Sequence, residues 1–266
     1  MRKGCTVFPL KKQIVNDLYG FANARNETIE RATGAWILWV DSDEEVKGIN
    51  NIRKWLDSKI FNAFAIKQHH PQLDNFIEAD KPHRLFRRGT GVFYGYIHEQ
   101  PMTIDDINEP ISPALIMCDA KIINYGAIEE KLRRDKSLGR NLALLQVDAK
   151  ENVTNRQKAG LPIRKLTVIL MMRDFINRMS YNYERHKTFN TKDVRELCVP
   201  MIEKLYNKYF ANETDALYKD YADKYLSQAY EMSGLGEKIS IEYKDKKIER
   251  YIRTEAQLDK VFSDVK

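Results

Sequence analysis

The sequence predicts an α/β domain followed by an α-helical region. The first observation is a helical pattern over 21–33, with Gly34 as its stop, followed at once by the uninterrupted apolar run at 36–40. A short, bulky run of this kind favours a strand buried on both faces, as in a sheet covered by helices. The second observation is that leucines recur at helical spacing from residue 128 onward. Helices and strands that alternate before that point are typical of an α/β domain.

The remaining elements of the first domain follow in chain order. A helical segment is expected at 49–56 and a strand at 62–66. Two further strands are expected at 84–88 and 92–97, because Gly89-Thr90-Gly91 between them favours a turn. The first domain is therefore expected to occupy 1–127.

The second region, 128–266, is expected to be mostly helical. A strongly apolar helix is predicted over 166–179, and a second over 194–209 that Pro200 is expected to kink. A third helical run carries Leu217 and Tyr221. Alternating apolar and polar residues predict a small hairpin within 239–252.

Composition excludes several classes of protein. The chain has 266 residues, of which 43% are hydrophobic and 31% charged, so it can bury a core and is not a disordered chain. No apolar run approaches the roughly 20 residues that cross a bilayer, and the start of the chain is a poor secretory signal. The three cysteines lie far apart and predict neither a disulfide framework nor a thiolate zinc site. A reduced, cytoplasmic location is the expectation.

The basic surplus lies in the second half of the chain. The net charge is +6, and residues 1–130 contain slightly more acidic than basic side chains. A basic region can attract nucleic acid, anionic lipid or phosphorylated ligands. It is also common on solvated helical surfaces, and both interpretations stay open.

Four carboxylates follow the apolar run directly, in the segment Asp41-Ser-Asp43-Glu44-Glu45. Ligands bind at the carboxyl ends of strands in open α/β sheets. Asp41 and Asp43 can both reach one hard divalent cation, Mg²⁺ or Mn²⁺, which keeps some water and is completed by phosphate oxygens. The alternative is an acidic loop that only caps the next helix.

Three blocks resemble family 2 glycosyltransferases with a GT-A fold. Phe21-Ala-Asn-Ala-Arg25-Asn26, together with 32–44, is similar to the core of that family. Residues 84–88 followed by 95–99 resemble a second block, and 122–126 resembles the strand that closes the catalytic domain. The resemblance covers roughly residues 6 to 130 and is closest to the branch with a helical C-terminal extension. It implies a Rossmann-related mixed sheet flanked by helices and transfer of a sugar from a nucleotide-sugar donor.

The resemblance also implies roles for individual residues on the donor side. Asp41 and Asp43 would form the Asp-x-Asp pair, in which Asp43 holds Mn²⁺ or Mg²⁺ on the donor diphosphate and Asp41 contacts the metal shell or the ribose. A divalent cation suits this reaction because it stabilises charge on the leaving diphosphate. Further donor contacts would come from Arg25, Asn26, Arg84 and Arg87.

Two features of these arginines limit that assignment. Arg25 has an alternative role as an ion-pair partner of Asp41 or Glu44. In a regular strand, Arg84 and Arg88 point to one face and Arg87 to the other, so the three cannot all line one pocket.

His98-Glu99 is the second candidate constellation. An inverting transfer requires a base for the acceptor hydroxyl, and a carboxylate is expected, with Glu99 as the candidate. His98 would complete the metal shell, orient the diphosphate or act as the base itself. The structural alternative is a histidine satisfied by the backbone beside a solvated glutamate. Rival carboxylates lie on a nearby loop at Asp105, Asp106 and Glu109.

The sequence departs from the family at its start. The family usually begins with a strand and a second βα unit that hold the nucleoside base, whereas residues 1–19 can supply at most one strand. The expected function is a metal-dependent, inverting glycosyltransferase whose acceptor is a saccharide, a protein or a modified DNA base contacted by the basic half. The alternative is a non-catalytic GT-A remnant that serves as a binding or interaction module. A Mg²⁺-dependent nuclease or phosphatase fits less well, since no second metal cluster is present in the sequence pattern.

Overall fold

A computed structural model describes residues 9–14, 17–57, 60–69, 78–80, 82–111, 114–125, 141–243 and 246–253. The chain divides into two compact units, Met1–Arg164 and Lys165–Lys266. The sequence placed the division at residue 127, before the helices at 142–158. These helices belong to the first unit, where Asp148 accepts a hydrogen bond from the Tyr96 N–H (3.0 Å).

A mixed six-stranded sheet forms the centre of the first unit. Its strands run in the order β1, β5, β3, β8, β2, with β4 paired to β3. The β3–β8 pair is parallel, and the other pairs of this sheet are antiparallel. A separate hairpin pairs β6 with β7. The strands are β1 (Trp36–Leu38), β2 (Glu44–Lys47), β3 (Ala63–His69), β4 (Glu78–Asp80), β5 (His83–Arg87), β6 (Gly91–Tyr94), β7 (Gln100–Thr103) and β8 (Ala114–Asn124).

Helices cover both faces of this sheet. The helices of the unit are α1 (Phe21–Arg31), α2 (Ile49–Leu56), α3 (Leu142–Asp148), a π-helical segment (Ala149–Asn155) and the short α4 (Arg156–Lys158). One apolar cluster joins Ile52 of α2 to Leu85, and the other joins Ala22 of α1 to Phe86. Because neighbouring residues of a strand point to opposite faces, the two clusters lie on opposite sides of β5. The mixed α/β class predicted from the sequence is confirmed.

The predicted strand at 36–40 is shorter in the structure. β1 ends at Leu38, and within the described residues it pairs with β5. Trp39 still donates its backbone N–H to the carbonyl of Arg84 (3.1 Å), but Val40 is 38% exposed. The chain then turns, with the Glu44 N–H bonded to the Asp41 carbonyl (3.1 Å). The expectation of burial on both faces was therefore wrong for the last residues of the run.

The second unit contains three long helical segments and a hairpin, as the sequence predicted. Its elements are α5 (Lys165–His186), a π-helical turn (Val194–Cys198), α6 (Val199–Tyr209), α7 (Ala216–Ser233), β9 (Gly236–Tyr243) and β10 (Lys246–Arg253). Strands β9 and β10 are antiparallel. Pro200 comes shortly after the π-helical turn, inside a helical run that continues from Asp193 through Cys198 into α6. None of the described helices combines the length and apolar character that a membrane-spanning helix requires.

The thiol of Cys198 is buried in the folded protein. Burial, and after it the negative charge of Asp193, whose Oδ2 lies 3.8 Å from the sulfur, raise its pKa to about 12, although Arg178 lowers it. Since the thiolate is the reactive form, we expect iodoacetamide at pH 8 to leave Cys198 unmodified in the native protein. In urea, where the thiol regains an ordinary pKa of about 8.5, it should react readily. Mass spectrometry of the peptide that contains Cys198 checks this, and equal rates in both states would contradict it.

Candidate active site

The first turn of α1 is attached to the segment that connects β6 and β7. The Phe21 N–H donates to the Tyr96 carbonyl (3.0 Å), and the Ala22 N–H donates to the Gly95 carbonyl (3.3 Å). Gly20 precedes the helix with φ +80°, and a Cβ there would lie 2.8 Å from the Cα of Tyr96. Only glycine fits both this conformation and this close approach. The contact fixes the residues that follow in α1 beside residues 95–99.

Arg25 joins two carboxylates from separate parts of the chain. Its Nε donates to Oε1 of Glu99 (2.6 Å), and its Nη2 donates to Oδ1 of Asp41 (2.7 Å). The side chains of Arg25 and Glu99 are 18% and 10% exposed, whereas that of Asp41 is 40% exposed. The planar guanidinium suits this role because its N–H groups point in fixed directions. Arg25 thus forms the ion pair with Asp41 that was one of its two expected roles. It also forms a second ion pair, with Glu99.

The guanidinium of Arg25 also lies against aromatic rings. Its Cζ is 4.3 Å from the centroid of the Trp39 ring and 5.5 Å from that of Phe93. Burial lowers the pKa of Arg25, but the charges of Glu99 and Asp41 and the hydrogen bonds they accept outweigh it, so the pKa is raised overall. Arg25 is therefore a mostly buried cation whose charge is balanced by two carboxylates.

The buried side chain of Glu44 is hydrogen-bonded to the loop that follows β1. Its side chain is 0% exposed, and its Oε2 accepts from the Asp41 N–H (2.9 Å). Its Oε1 accepts from Nη2 of Arg84 (2.7 Å), Nδ2 of Asn124 (3.0 Å) and Nε2 of Gln68 (3.3 Å). A buried carboxylate is tolerated when it is paired and hydrogen-bonded in this way. Glu44 thus has a structural role within the acidic segment. Its side chain links β2, on which it lies, to strands β3, β5 and β8.

Arg84 contacts both the buried Glu44 and the partly exposed Asp41. Its side chain is 4% exposed, its Cζ lies 3.7 Å from the Trp39 ring centroid, and its Nη1 is 3.8 Å from Oδ2 of Asp41. Among the residues that the structure describes, no hydrogen-bond partner meets the buried Nε and Nη1 of Arg84. Burial lowers the pKa of Arg84 more than the charges of Glu44 and Asp41 raise it, and the positive charge of Arg25 lowers it further. Two arginines, Arg25 and Arg84, therefore face Asp41. Of these two, Arg84 has N–H groups that donate to none of the described residues.

Asp43 and His98 are exposed, unlike the side chains of Glu44 and Arg84. The backbone carbonyl of Asp43 accepts from the Tyr125 N–H (2.9 Å), which fixes the turn between β1 and β2. His98 has φ +49°, and its backbone carbonyl accepts from Nη2 of Arg164 (2.7 Å). Within the described residues, no group of three or more His, Cys, Asp or Glu side chains is arranged to hold a metal ion. The structure thus does not gather Asp41, Asp43 and His98 into one three-ligand site.

Two residues expected on the donor side have other contacts. The amide of Asn26 bonds both backbone groups of Phe93, at 3.0 Å to its carbonyl and 2.9 Å from its N–H, and so joins α1 to β6. Arg87 lies over the Trp36 ring, with its Cζ 4.7 Å from the centroid. Trp36 packs against the cluster that contains Leu85, on the opposite face from Arg84. The limit derived from alternation therefore holds, and Arg87 is separated from the Asp41 cluster by the sheet.

Sequence reasoning missed several residues of the cluster. Trp39 was assigned only to a strand, although its ring lies against two arginines and its Nε1 donates to the His83 carbonyl (2.8 Å). Gln68 and Asn124 carry no local signal. Asp148, which accepts from the Tyr96 N–H (3.0 Å), does carry a local signal. It falls on the apolar face of α3 with Leu144 and Leu145, where a charged side chain needs a partner.

No protein-family model matches the chain, and a search of curated proteins finds no significant match. The fold and the side-chain cluster are therefore the observations on which a functional proposal rests.

Proposed function

We propose that the protein is a metal-dependent glycosyltransferase with a GT-A-like catalytic unit, which transfers a sugar from a nucleotide-sugar donor to an acceptor hydroxyl with inversion. One observation carries the proposal. Arg25 and Asp41 belong to the first of the blocks that the resemblance singles out, Glu99 belongs to the second, and the three side chains meet in one hydrogen-bonded cluster. Residues of one donor-binding site would be joined across the two blocks in this way.

Asp43 is the residue suited to hold the cation. Its carboxylate is exposed, and carboxylate oxygens are the ligands that Mg²⁺ and Mn²⁺ prefer. Asp41 adjoins it but is shared with Arg25 and Arg84, so few protein ligands would hold the ion, with water and donor phosphate oxygens completing the shell. The bound cation stabilises negative charge on the departing nucleoside diphosphate.

Arg25 couples the donor side to the base. Without a donor, its two hydrogen bonds go to Asp41 and Glu99. A diphosphate competes for the same guanidinium, since phosphate oxygens match its planar fork. When Arg25 turns toward the donor, Glu99 is freed to accept the proton of the acceptor hydroxyl as that oxygen attacks the anomeric carbon. Arg84 supplies a second positive charge beside Asp41.

The acceptor belongs to one of three classes in this proposal: a saccharide, a protein side chain or a modified DNA base. The basic residues after 130 offer the phosphate contacts that a DNA acceptor would require. A reduced cytoplasmic setting is part of the same proposal.

Thermal shift measurements test donor binding directly. We expect one nucleotide sugar of a panel to raise Tm in the presence of Mn²⁺, because a ligand at 100 times its Kd stabilises by about 2.7 kcal/mol. Asp43→Ala should abolish the part of the shift that depends on Mn²⁺. Asp57→Ala is the matched control, because Asp57 is also exposed but lies at the end of α2, on the opposite face of the sheet.

The competing function is a non-catalytic binding module built on the same fold. The specific observation that favours it is that Arg25 and Asp41 satisfy one another, as residues of a structural network do. If no nucleotide sugar shifts Tm with or without Mn²⁺, the transferase proposal fails and the binding module is the better account.

A further inference from the structure

The turn that carries His98 and Glu99 has an unusual backbone. Gly95 has φ +102° and His98 has φ +49°. A non-glycine residue at positive φ is uncommon and persists where surrounding contacts hold it. These contacts come from residues that the sequence had assigned to the helical region.

Arg164 is the first of them. Its side chain is 2% exposed, and its Nη2 donates to the His98 carbonyl (2.7 Å), while its Nη1 lies 3.4 Å from the Ile97 carbonyl. The guanidinium occupies the space next to Gly95 so closely that a Cβ on Gly95 would overlap with it. The glycine and the arginine therefore fit one another, and the turn is shaped around the guanidinium.

Asp148 is the second. Its side chain is 0% exposed, and its Oδ2 accepts from Nη1 of Arg164 (2.8 Å). Its Oδ1 accepts from the Tyr96 N–H (3.0 Å) and from Nδ2 of Asn152 (2.6 Å). The Arg164 N–H in turn donates to the Asn152 carbonyl (2.9 Å). The ion pair thus holds the start of the turn through Asp148 and its end through Arg164.

We infer that Asp148 and Arg164 are positioning residues, which hold the turn at 95–99 so that the Glu99 carboxylate faces Arg25. They act on Glu99 through the backbone that precedes it, and they do not touch the donor or the acceptor. This inference rests on the proposed function for its catalytic meaning, but the placement of the turn can be measured without a substrate. A buried ion pair is costly to form, and replacing it by apolar residues is often neutral. Its use here is to fix a backbone that apolar packing would not specify.

The experiment combines hydrogen exchange with steady-state kinetics on the full chain. In Arg164→Lys the charge stays but the fork that reaches both Asp148 and the His98 carbonyl is lost, and Asp148→Asn removes the ion pair with little change of shape. We expect exchange in the peptide 95–100 to be about tenfold faster in both variants, with exchange in α6 unchanged. For turnover of the nucleotide sugar that the thermal-shift panel selects, kcat should fall about ten- to a hundredfold with KM retained, since a misplaced base affects the reaction and not donor binding.

The matched control is Arg156→Lys. Arg156 lies on the same segment, is partly exposed and bonds a single backbone carbonyl, that of Pro162. It should change neither readout. Unchanged exchange at 95–100 in Arg164→Lys, or an equal increase throughout the chain, would overturn the inference. So would locally faster exchange with kcat at the wild-type value. If the wild-type chain turns over no nucleotide sugar, the proposed function fails instead, and exchange alone decides whether the pair holds the turn.

Discussion

Replacing Glu44 by alanine should lower the free energy of unfolding by about 3 to 5 kcal/mol, because it removes the nearest charge partner of the buried Arg84 guanidinium and leaves it with the more distant Asp41, at 3.8 Å. Arg84 is 4% exposed, and within the described part of the chain two of its nitrogen atoms already have no hydrogen bond, so water cannot compensate for the loss. The Asp41 N–H also loses its acceptor, which loosens the loop that carries the proposed cation ligand. Urea unfolding, followed by circular dichroism, measures the effect.

Glu45 provides the control for this measurement. It is the next residue in the same strand, but it is exposed, and its contacts are to Tyr125 and Lys47 at the surface. Glu45→Ala should change the free energy of unfolding by less than about 0.5 kcal/mol. Similar losses in the two variants would mean that Glu44 stabilises the protein no more than a surface carboxylate does.

Replacing Glu99 by glutamine should reduce turnover about 10²- to 10⁴-fold while leaving donor binding intact. The amide cannot take the proton of the acceptor hydroxyl, but its oxygen can still accept the hydrogen bond from Nε of Arg25. Release of nucleoside diphosphate measures the reaction, and the thermal shift by donor and Mn²⁺ measures binding.

Glu109→Gln separates a specific base from a general effect of charge. Glu109 is an exposed carboxylate in the segment that follows β7, and its backbone carbonyl accepts from the Thr103 N–H (2.8 Å). We expect its turnover to match the wild type. If Glu99→Gln retains full activity, or if Glu109→Gln loses as much, another group takes the proton and His98 becomes the next candidate.

The elements of the chain were predictable where a pattern is local. The helix at 21–31, the strands at 63–69 and 83–87 and the hairpin at 236–253 follow from periodicity and turn residues in their own segments. The opposite directions of Arg84 and Arg87 followed from alternation alone. The domain division did not follow, because the helices at 142–158 look like the start of a helical region until their buried face is seen to hold the turn at 95–99.

The sequence by itself determined which residue types stand near the carboxyl end of β1, and that the carboxylates and arginines of the resemblance lie in two of its three blocks. Only the tertiary structure decided how they are paired. Glu44 and Asp43 are one residue apart in the same acidic segment, yet one is buried under Arg84 and the other is exposed. The reason is physical: burial of a charge depends on partners supplied by distant strands and helices, and local spacing carries no information about which of them arrive.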